Sequence, residues 1–310
     1  MEAEEELTAR IEDGLTVPGA AEISAPFLPA FTSSSAGDRG VQAVLLYGSV
    51  LWKATRDKTS QPDFIVVVDS LSAWYRRMRD RLWGVVLPPA VHCVREGDAL
   101  AKVSVVTSRQ LASQTAATAK DLHLAGRLSK RVALVWSRDP QARQSIVDAK
   151  RAALKTVARL TISRFEGVIA IDDFLTAMLG LSYESEVRIV EPGKVAALLD
   201  VERDHYQALG RALLGALGAT PIDASASAFQ LPEGAAAARV ELQHCLRRSR
   251  RRAYLRWPKY LATYDGWLDY LLQKLARSGH QVVLTERQRR HPLIFALPVL
   301  YQMMRTKRVS

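Results

Sequence analysis

A glycine and a serine lie at the end of one strand-like segment, and an aspartate opens the next one. Gly48 and Ser49 follow the apolar run VQAVLLY, and Asp63 begins the run DFIVVV, 14 residues after Ser49. Because glycine has no side chain, backbone N–H groups and the serine hydroxyl can approach a phosphate closely. A carboxylate on the neighbouring strand can hold a magnesium ion that bridges the phosphates. The pattern is typical of phosphoryl or nucleotidyl transfer, in which an enzyme positions phosphates and neutralises their charge.

The same residues have a second interpretation, in which turn chemistry alone accounts for them. The Gly-Ser turn, the spacer and the aspartate resemble the signature of nucleotidyltransferases of the polymerase-β type. In that group a second carboxylate usually lies two residues after the first, and this position is Ile65 here. Asp69 has the same strand parity as Asp63, so it could supply a second metal ligand, or it could simply end the strand.

The elements that must position these residues are strands mixed with helices. Short β-branched runs between about residues 41 and 136, with helical character at 75–83 and 108–128, predict an α/β or α+β sheet domain. The run DFIVVV is apolar on both faces, as expected for a covered central strand. Helical periodicity dominates from 140 to about 217. We therefore predict three parts: a sheet domain (1–139), a helical domain (140–235) and a basic C-terminal region (236–310).

Positive charge is concentrated in the last quarter of the chain. The net charge is +11, but residues 239–310 hold sixteen Lys or Arg and four Asp or Glu, which leaves 27 basic and 28 acidic residues elsewhere. Such asymmetry predicts an anionic partner, either nucleic acid or an anionic membrane. Cys93 and Cys245 match no metal or redox spacing, which is typical of a reducing compartment. We expect a cytoplasmic protein, because the sequence shows neither a targeting signal nor an apolar run of roughly 20 residues.

Further segments extend the Gly-Ser and aspartate pattern along the chain. The segment YGSVLWK…PDFIVVVDSLSAWYRR is followed in order by LAKVSVVTSRQL, DLHLAGRLSKRV and GLSYESEVRI. This series, over about residues 42–215, resembles the phosphatidate cytidylyltransferase family of the mitochondrial translocator assembly and maintenance type. That family also lacks the carboxylate at Ile65, whereas Arg131 replaces its usual proline. The residues that match its first segment are Tyr47, Gly48, Ser49, Asp63, Phe64, Asp69 and Trp74.

The resemblance implies a polymerase-β-type nucleotidyltransferase fold and a magnesium-dependent reaction. Phosphatidic acid attacks the α-phosphate of CTP, and the products are CDP-diacylglycerol and pyrophosphate. At matching positions, Asp63 and Lys102 would act in catalysis, and Asp63 and Asp69 would bind the metal. The residues that would contact the nucleotide are Tyr47, Gly48, Ser49, Arg127, Lys130 and Arg188.

Some of these assignments also have structural interpretations. Arg127 and Lys130 are three positions apart, so a helix would present both toward an anion. Basic residues at the C-terminus of a helix are a common alternative. In GLSYESEVRI, the resemblance places Arg188 near the substrate phosphate, whereas Tyr183 and Glu186 could equally belong to a structural turn between helices.

The basic tail interleaves arginines with aromatic or apolar residues in HCLRRSRRRAYLRWPKYL and RQRRHPLIFALPVLYQMMRTKR. A membrane surface, an RNA-binding surface and core or dimer contacts all fit this composition. The lipid substrate favours a peripheral enzyme on the inner face of the cell membrane, with CTP, phosphatidic acid and the anionic surface as partners. The alternatives are a nucleotidyltransferase acting on RNA, protein or a small molecule, and a degenerate nucleotidyltransferase-like protein that binds nucleic acid. The sequence leaves the oligomeric state open.

Overall fold

The computed structural model describes residues 2–32, 40–52, 61–75, 78–97, 99–186 and 193–263, together with positions 268, 272 and 284–287. The chain divides into two compact units, Met1–Lys259 and Tyr260–Ser310. Neither predicted boundary, after residue 139 or after residue 235, coincides with this division. The first unit therefore contains the predicted sheet and helical domains and also the start of the basic C-terminal region.

Five strands form the main sheet: β1 (Val41–Tyr47), β2 (Asp63–Val68), β3 (Ala90–Glu96), β4 (Ala99–Thr107) and β5 (Val132–Ser137). Their order across the sheet is β3-β4-β2-β1-β5. The pair β2 and β4 is parallel, and the other three pairs are antiparallel. The predicted mixed α/β class is confirmed, with β2 as the central strand.

The central strand β2 is buried on both faces, as its unbroken apolar sequence predicts. On one face, Phe64 packs against the rings of Phe27 and Phe31, with ring centroids 5.6 and 5.3 Å away. On the other face, Ile65 belongs to a second core that also includes residues of the long helices. Ile65 is completely buried, so a carboxylate at this position would lie in an apolar core.

Seven helices lie before or among these strands in the described part of the chain: α1 (Glu2–Gly14), α2 (Ala20–Ser24), α3 (Leu28–Thr32), α4 (Leu71–Trp74), α5 (Met78–Val86), α6 (Ser108–Thr115) and α7 (Ala125–Leu128). The helical character predicted for 108–128 is divided between α6 and α7. The break follows from Ala116, whose ψ of 159° is extended and ends α6. Arg127 therefore lies on a single-turn helix rather than near the end of a long one.

A helical layer follows the sheet, formed by α8 (Pro140–Ile162), α9 (Ile171–Glu184), α10 (Lys194–Val201) and α11 (Arg203–Ala216). The long helix α8 begins where Asp139 caps it, since the Asp139 carboxylate accepts a hydrogen bond from the Ala142 N–H at 2.7 Å. Three short strands form a separate sheet: β6 (Val168–Ala170), β7 (Thr220–Pro221) and β8 (Ala228–Gln230).

The basic helix α12 (Arg239–Thr263) ends the continuous part of the described chain. Its residues up to Lys259 belong to the first compact unit. In the part of the chain that the structure describes, no helix combines the length and the apolar character needed to cross a membrane.

Candidate functional site

Three predicted site residues lie side by side at the edge of the main sheet where β1 ends and β2 begins: Tyr47, Asp63 and Lys102. Tyr47 pairs with Asp63 across the two strands. Asp63 pairs in turn with Lys102 of the parallel strand β4. Directly paired residues point to the same face of a sheet. The register therefore brings the Gly-Ser turn after Tyr47 next to the predicted carboxylate and the predicted lysine.

Gly48 makes the close approach between this turn and Asp63 possible. Its backbone, with φ 95° and ψ −169°, lies in a region that is essentially restricted to glycine. A Cβ atom at this position would lie 3.3 Å from Asp63 Oδ2. The carboxylate therefore packs directly against the turn, and Ser49 begins the short 3₁₀ helix that follows.

Gly48→Ala is expected to destabilise the protein by about 1–3 kcal/mol, because alanine strains this backbone conformation. It should also lower any activity that depends on Asp63 by about a hundredfold, since displacing a reactive group by about 1 Å can cost that much. Urea unfolding and a nucleotide-transfer assay measure the two effects. Gly218→Ala is the control, because Gly218 has φ +81° but open space around its Cβ position. Equal activity in the two variants would contradict the prediction.

Asp63 and Lys102 form an ion pair that solvent can reach. Lys102 Nζ lies 3.7 Å from Asp63 Oδ1, and the side chains are 19% and 33% exposed, respectively. This separation exceeds that of a direct hydrogen bond. A phosphate oxygen or a cation can therefore approach both groups without any opening of the core.

Arg127 lies over the ring of Tyr47, with its guanidinium carbon 5.9 Å from the ring centroid. Arg127 Nη1 donates to the His123 carbonyl at 2.7 Å and to Glu186 Oε1 at 2.6 Å. Burial, followed by the charges of Arg127 and Arg256, lowers the pKa of His123 well below its ordinary 6.5, so this ring is neutral. The buried Arg127 is thus fixed beside the end of β1 by contacts to two segments.

Lys130 lies over the ring of Tyr183, with Nζ 3.3 Å from the ring centroid. Lys194 Nζ lies 5.8 Å from the same centroid. The segments that contain Lys130 and Tyr183 are in close contact: a Cβ atom on Gly126 would lie only 2.9 Å from the Ser182 Cβ. The structure therefore brings the AGRLSK and GLSY segments together, and a cationic and aromatic cluster forms where they meet.

Lys150 of α8 holds the segment that carries Lys130. Its ammonium group, completely buried, donates to the carbonyls of Leu128 and Lys130 at 3.0 and 2.8 Å. These carbonyls lie at the end of α7, where helical partners are lacking. The Arg131 N–H donates to the Tyr206 hydroxyl at 3.0 Å. The connection from α7 to β5 is thus fixed from two sides.

Lys150→Met is expected to reduce the rise in stability between about pH 7 and pH 10. Burial, followed by the charge of Arg131, lowers the pKa of Lys150 from 10.5 to about 7. In this window the unfolded chain binds a proton that the folded protein lacks, so the free energy of unfolding rises by up to about 1.4 kcal/mol per pH unit. Urea unfolding across this range measures the slope.

Lys155→Met is the matched control, since Lys155 lies on the same helix and is 38% exposed. Burial also lowers the pKa of Lys259 to about 7, and Lys259 contributes to the slope equally in both variants. Identical slopes for the wild type and Lys150→Met would show that burial does not lower the pKa of Lys150.

Asp69 does not join Asp63, which corrects the expectation that both bind one metal ion. It follows the other end of β2, six residues and about 20 Å away along the strand. Its carboxylate accepts hydrogen bonds from Arg138 at 2.8 Å and Gln42 at 2.5 Å. Burial raises the pKa of Asp69, but these hydrogen bonds outweigh burial and the pKa is lowered. The last predicted site residue, Arg188, lies outside the described residues.

The structure adds groups that the sequence did not single out. Asp121, His123 and Lys150 support the Arg127 and Lys130 segment, and Lys194 contributes to the cationic cluster. His123 and Asp121 lie inside the DLHLAGRLSKRV segment, which was the one available signal for them. Among the described residues, no group of three or more His, Cys, Asp or Glu side chains is arranged to hold a metal ion.

The fold and the site together define a mixed α/β protein with a cationic cluster and one carboxylate at a glycine turn. Models of known protein families give no match to the chain, and neither do curated proteins.

Proposed function

We propose that this protein is a magnesium-dependent CTP:phosphatidate cytidylyltransferase with a polymerase-β-type nucleotidyltransferase fold. The main support for nucleotidyl transfer is that Asp63 contacts both the Gly48 turn and Lys102 at one sheet edge. The choice of CTP and of a lipid acceptor rests on the sequence resemblance of four ordered segments.

In the proposed reaction, a phosphate oxygen of phosphatidic acid attacks the α-phosphorus of CTP. A new P–O bond forms, the bond from the α-phosphorus to the bridging oxygen breaks, and pyrophosphate leaves. Lys102 neutralises charge that develops on the phosphate oxygens. The backbone at Gly48 and the Ser49 hydroxyl hold the triphosphate, and Arg127 and Lys130 add positive charge beside it.

The residues present fit a magnesium ion whose ligands come in part from the substrate. Magnesium is commonly bound by one or two carboxylates, with waters and substrate phosphates as its other ligands. Asp63 supplies one partly exposed carboxylate directly beside the turn. The ion would neutralise phosphate charge, and Asp63 would hold it against the triphosphate.

Two exposed surfaces of the described chain favour contact with an anionic membrane. The first is formed by exposed arginines of α12, namely Arg247 and Arg251. Each basic residue near such a surface contributes about 1 kcal/mol to binding. The second is an apolar stripe on α5 whose side chains are 57–65% exposed: Met78, Leu82, Val85 and Val86. A lipid surface would cover both the charge and the apolar stripe.

A vesicle assay with all four nucleotides tests the nucleotide and the acceptor together. Purified protein is incubated with labelled CTP, ATP, GTP or UTP, magnesium and vesicles that contain phosphatidic acid. We expect labelled CDP-diacylglycerol with CTP alone. Vesicles that contain phosphatidylglycerol instead of phosphatidic acid are the control for non-specific retention of label.

Three results would contradict the proposal in different ways. Absence of product with folded protein, across magnesium and manganese and several lipids, would exclude this activity. Label on RNA or on a protein would keep nucleotidyl transfer but change the acceptor. Salt-dependent RNA binding without turnover would favour a nucleic-acid-binding protein.

A further inference from the structure

The inner side of α12 contacts two of the three segments that carry candidate nucleotide-binding residues. Ser249 Oγ accepts a hydrogen bond from the Leu122 N–H at 3.1 Å, just before α7. Arg250 Nε donates to the Glu184 carbonyl at 2.9 Å, at the end of α9. The basic helix is thus attached to the body of the protein beside the site.

Asp121 binds two arginines of α12. Its carboxylate is completely buried, and Oδ2 accepts hydrogen bonds from Arg252 Nε at 2.5 Å and from Arg256 Nη2 at 2.9 Å. Burial raises the pKa of Asp121, but the charge of Arg256 and hydrogen bonds from the His123 N–H and Arg252 outweigh this effect, and the pKa stays below its ordinary value. Asp121 is therefore ionised at neutral pH, and its charge is balanced from α12.

Hydrogen bonds continue from Asp121 to Arg127. Asp121 Oδ1 accepts from the His123 N–H at 3.0 Å, and the His123 carbonyl accepts from Arg127 Nη1 at 2.7 Å. Arg127 lies over the ring of Tyr47, the residue before the Gly-Ser turn. These groups are almost fully buried. Close packing transmits a shift of Asp121 to the Arg127 guanidinium, because little water is present to take up the change.

We propose that Asp121 is a positioning residue for nucleotide binding: held by Arg252 and Arg256, it fixes the His123 carbonyl that orients Arg127. The inference rests on the proposed function, because it takes Arg127 and Tyr47 to border the bound nucleotide. The proposal gives the inner face of α12 a role in nucleotide binding, separate from the role of the outward-facing arginines at a membrane.

Arg252→Gln tests the proposal mildly, because Arg256 still balances the charge of Asp121. We expect the dissociation constant and the KM for CTP each to rise by about tenfold, with kcat within about threefold of the wild type. Both are measured on the full chain with magnesium present, by calorimetric titration with CTP and by the vesicle assay. Arg252→Lys, which keeps the charge, should restore most of the affinity.

The matched control is Glu241→Gln on the same helix. It removes the charge of Glu241 and one of the two paired hydrogen bonds from Arg159, at 2.8 and 2.6 Å, and leaves the contacts of Asp121 unchanged. Its CTP affinity should equal that of the wild type. Urea midpoints for all variants separate loss of binding from loss of fold.

A double-mutant cycle with Arg127→Lys decides whether the effect passes through Arg127. If it does, Arg252→Gln weakens CTP binding little further once Arg127 is changed. Losses that multiply independently would overturn the proposal, and so would unchanged CTP binding by Arg252→Gln. If the wild type bound no CTP at all, the proposed function would be excluded together with the positioning role. If the wild type and Arg252→Gln bound CTP equally well, only the positioning role would be excluded.

Discussion

Asp63→Asn is expected to lower the rate of nucleotide transfer by about a thousandfold or more, because it removes the carboxylate that faces the phosphates. The free energy of unfolding should stay close to that of the wild type. Asp63 is 33% exposed and lies 3.7 Å from a Lys102 that is itself partly exposed, so the change leaves no deeply buried, unpaired charge. Formation of CDP-diacylglycerol and urea unfolding measure the two quantities.

Asp69→Asn is the matched control for this prediction. It makes the same chemical change just after the other end of β2, remote from Lys102. The Asp69 pair with Arg138 is 45% exposed on both sides, so its loss should cost less than about 1 kcal/mol. Transfer should continue at close to the wild-type rate. Equal loss of transfer in the two variants would show that the sheet edge at Asp63 is not the site.

Asp121→Asn is expected to lower the free energy of unfolding by about 3–5 kcal/mol, because it leaves a buried cation without its partner. Arg256 is 2% exposed, and its other acceptor in the described structure is the Pro88 carbonyl, at 3.1 Å. A neutral amide cannot balance this charge. Urea unfolding at pH 7 measures the loss. For Asp63→Asn, by contrast, we expect almost no change in the free energy of unfolding.

The control for Asp121 is Asp172→Asn, which breaks an exposed pair with Arg203 at 2.9 Å. Its cost should be below about 1 kcal/mol. The pH dependence gives a second check. Since the pKa of Asp121 is lowered from 3.8, its contribution is present above that pH and is lost as the pH falls through the lower, folded-state pKa. An Asp121→Asn variant as stable as Asp172→Asn would contradict the buried ion cluster.

Several parts of the fold were predictable because their causes are local. An unbroken run of β-branched residues favours a strand buried on both faces, and β2 is such a strand. A capping aspartate followed by proline predicts a helix start, and α8 begins there. The acidic pair Asp172 and Asp173 lies in the first turn of α9, where the helix dipole favours negative charge. Each of these features depends on residues close together in the chain.

The predictions that failed or fell short concern relations between distant residues. Asp63 and Asp69 have the same parity in the sequence, but parity does not specify which end of the strand meets the turn. That depends on the pairing of β1 with β2 and of β2 with β4. The connection between α6 and α7 also meets a distant segment, since the Leu122 N–H donates to Ser249 Oγ of α12.

The order of amino acids was enough to predict the mixed α/β class, the central strand, the aspartate at its start and the excess of arginine near the C-terminus. The roles of individual arginines became clear only from the folded protein. Arg251 and Arg252 are neighbours of the same type, yet Arg251 is exposed and Arg252 binds the buried Asp121. Composition cannot separate them, because desolvation and ion pairing depend on what lies opposite each side chain in space. The same reason places Gly48, Asp63 and Lys102 together, since strand register joins residues that the chain keeps far apart.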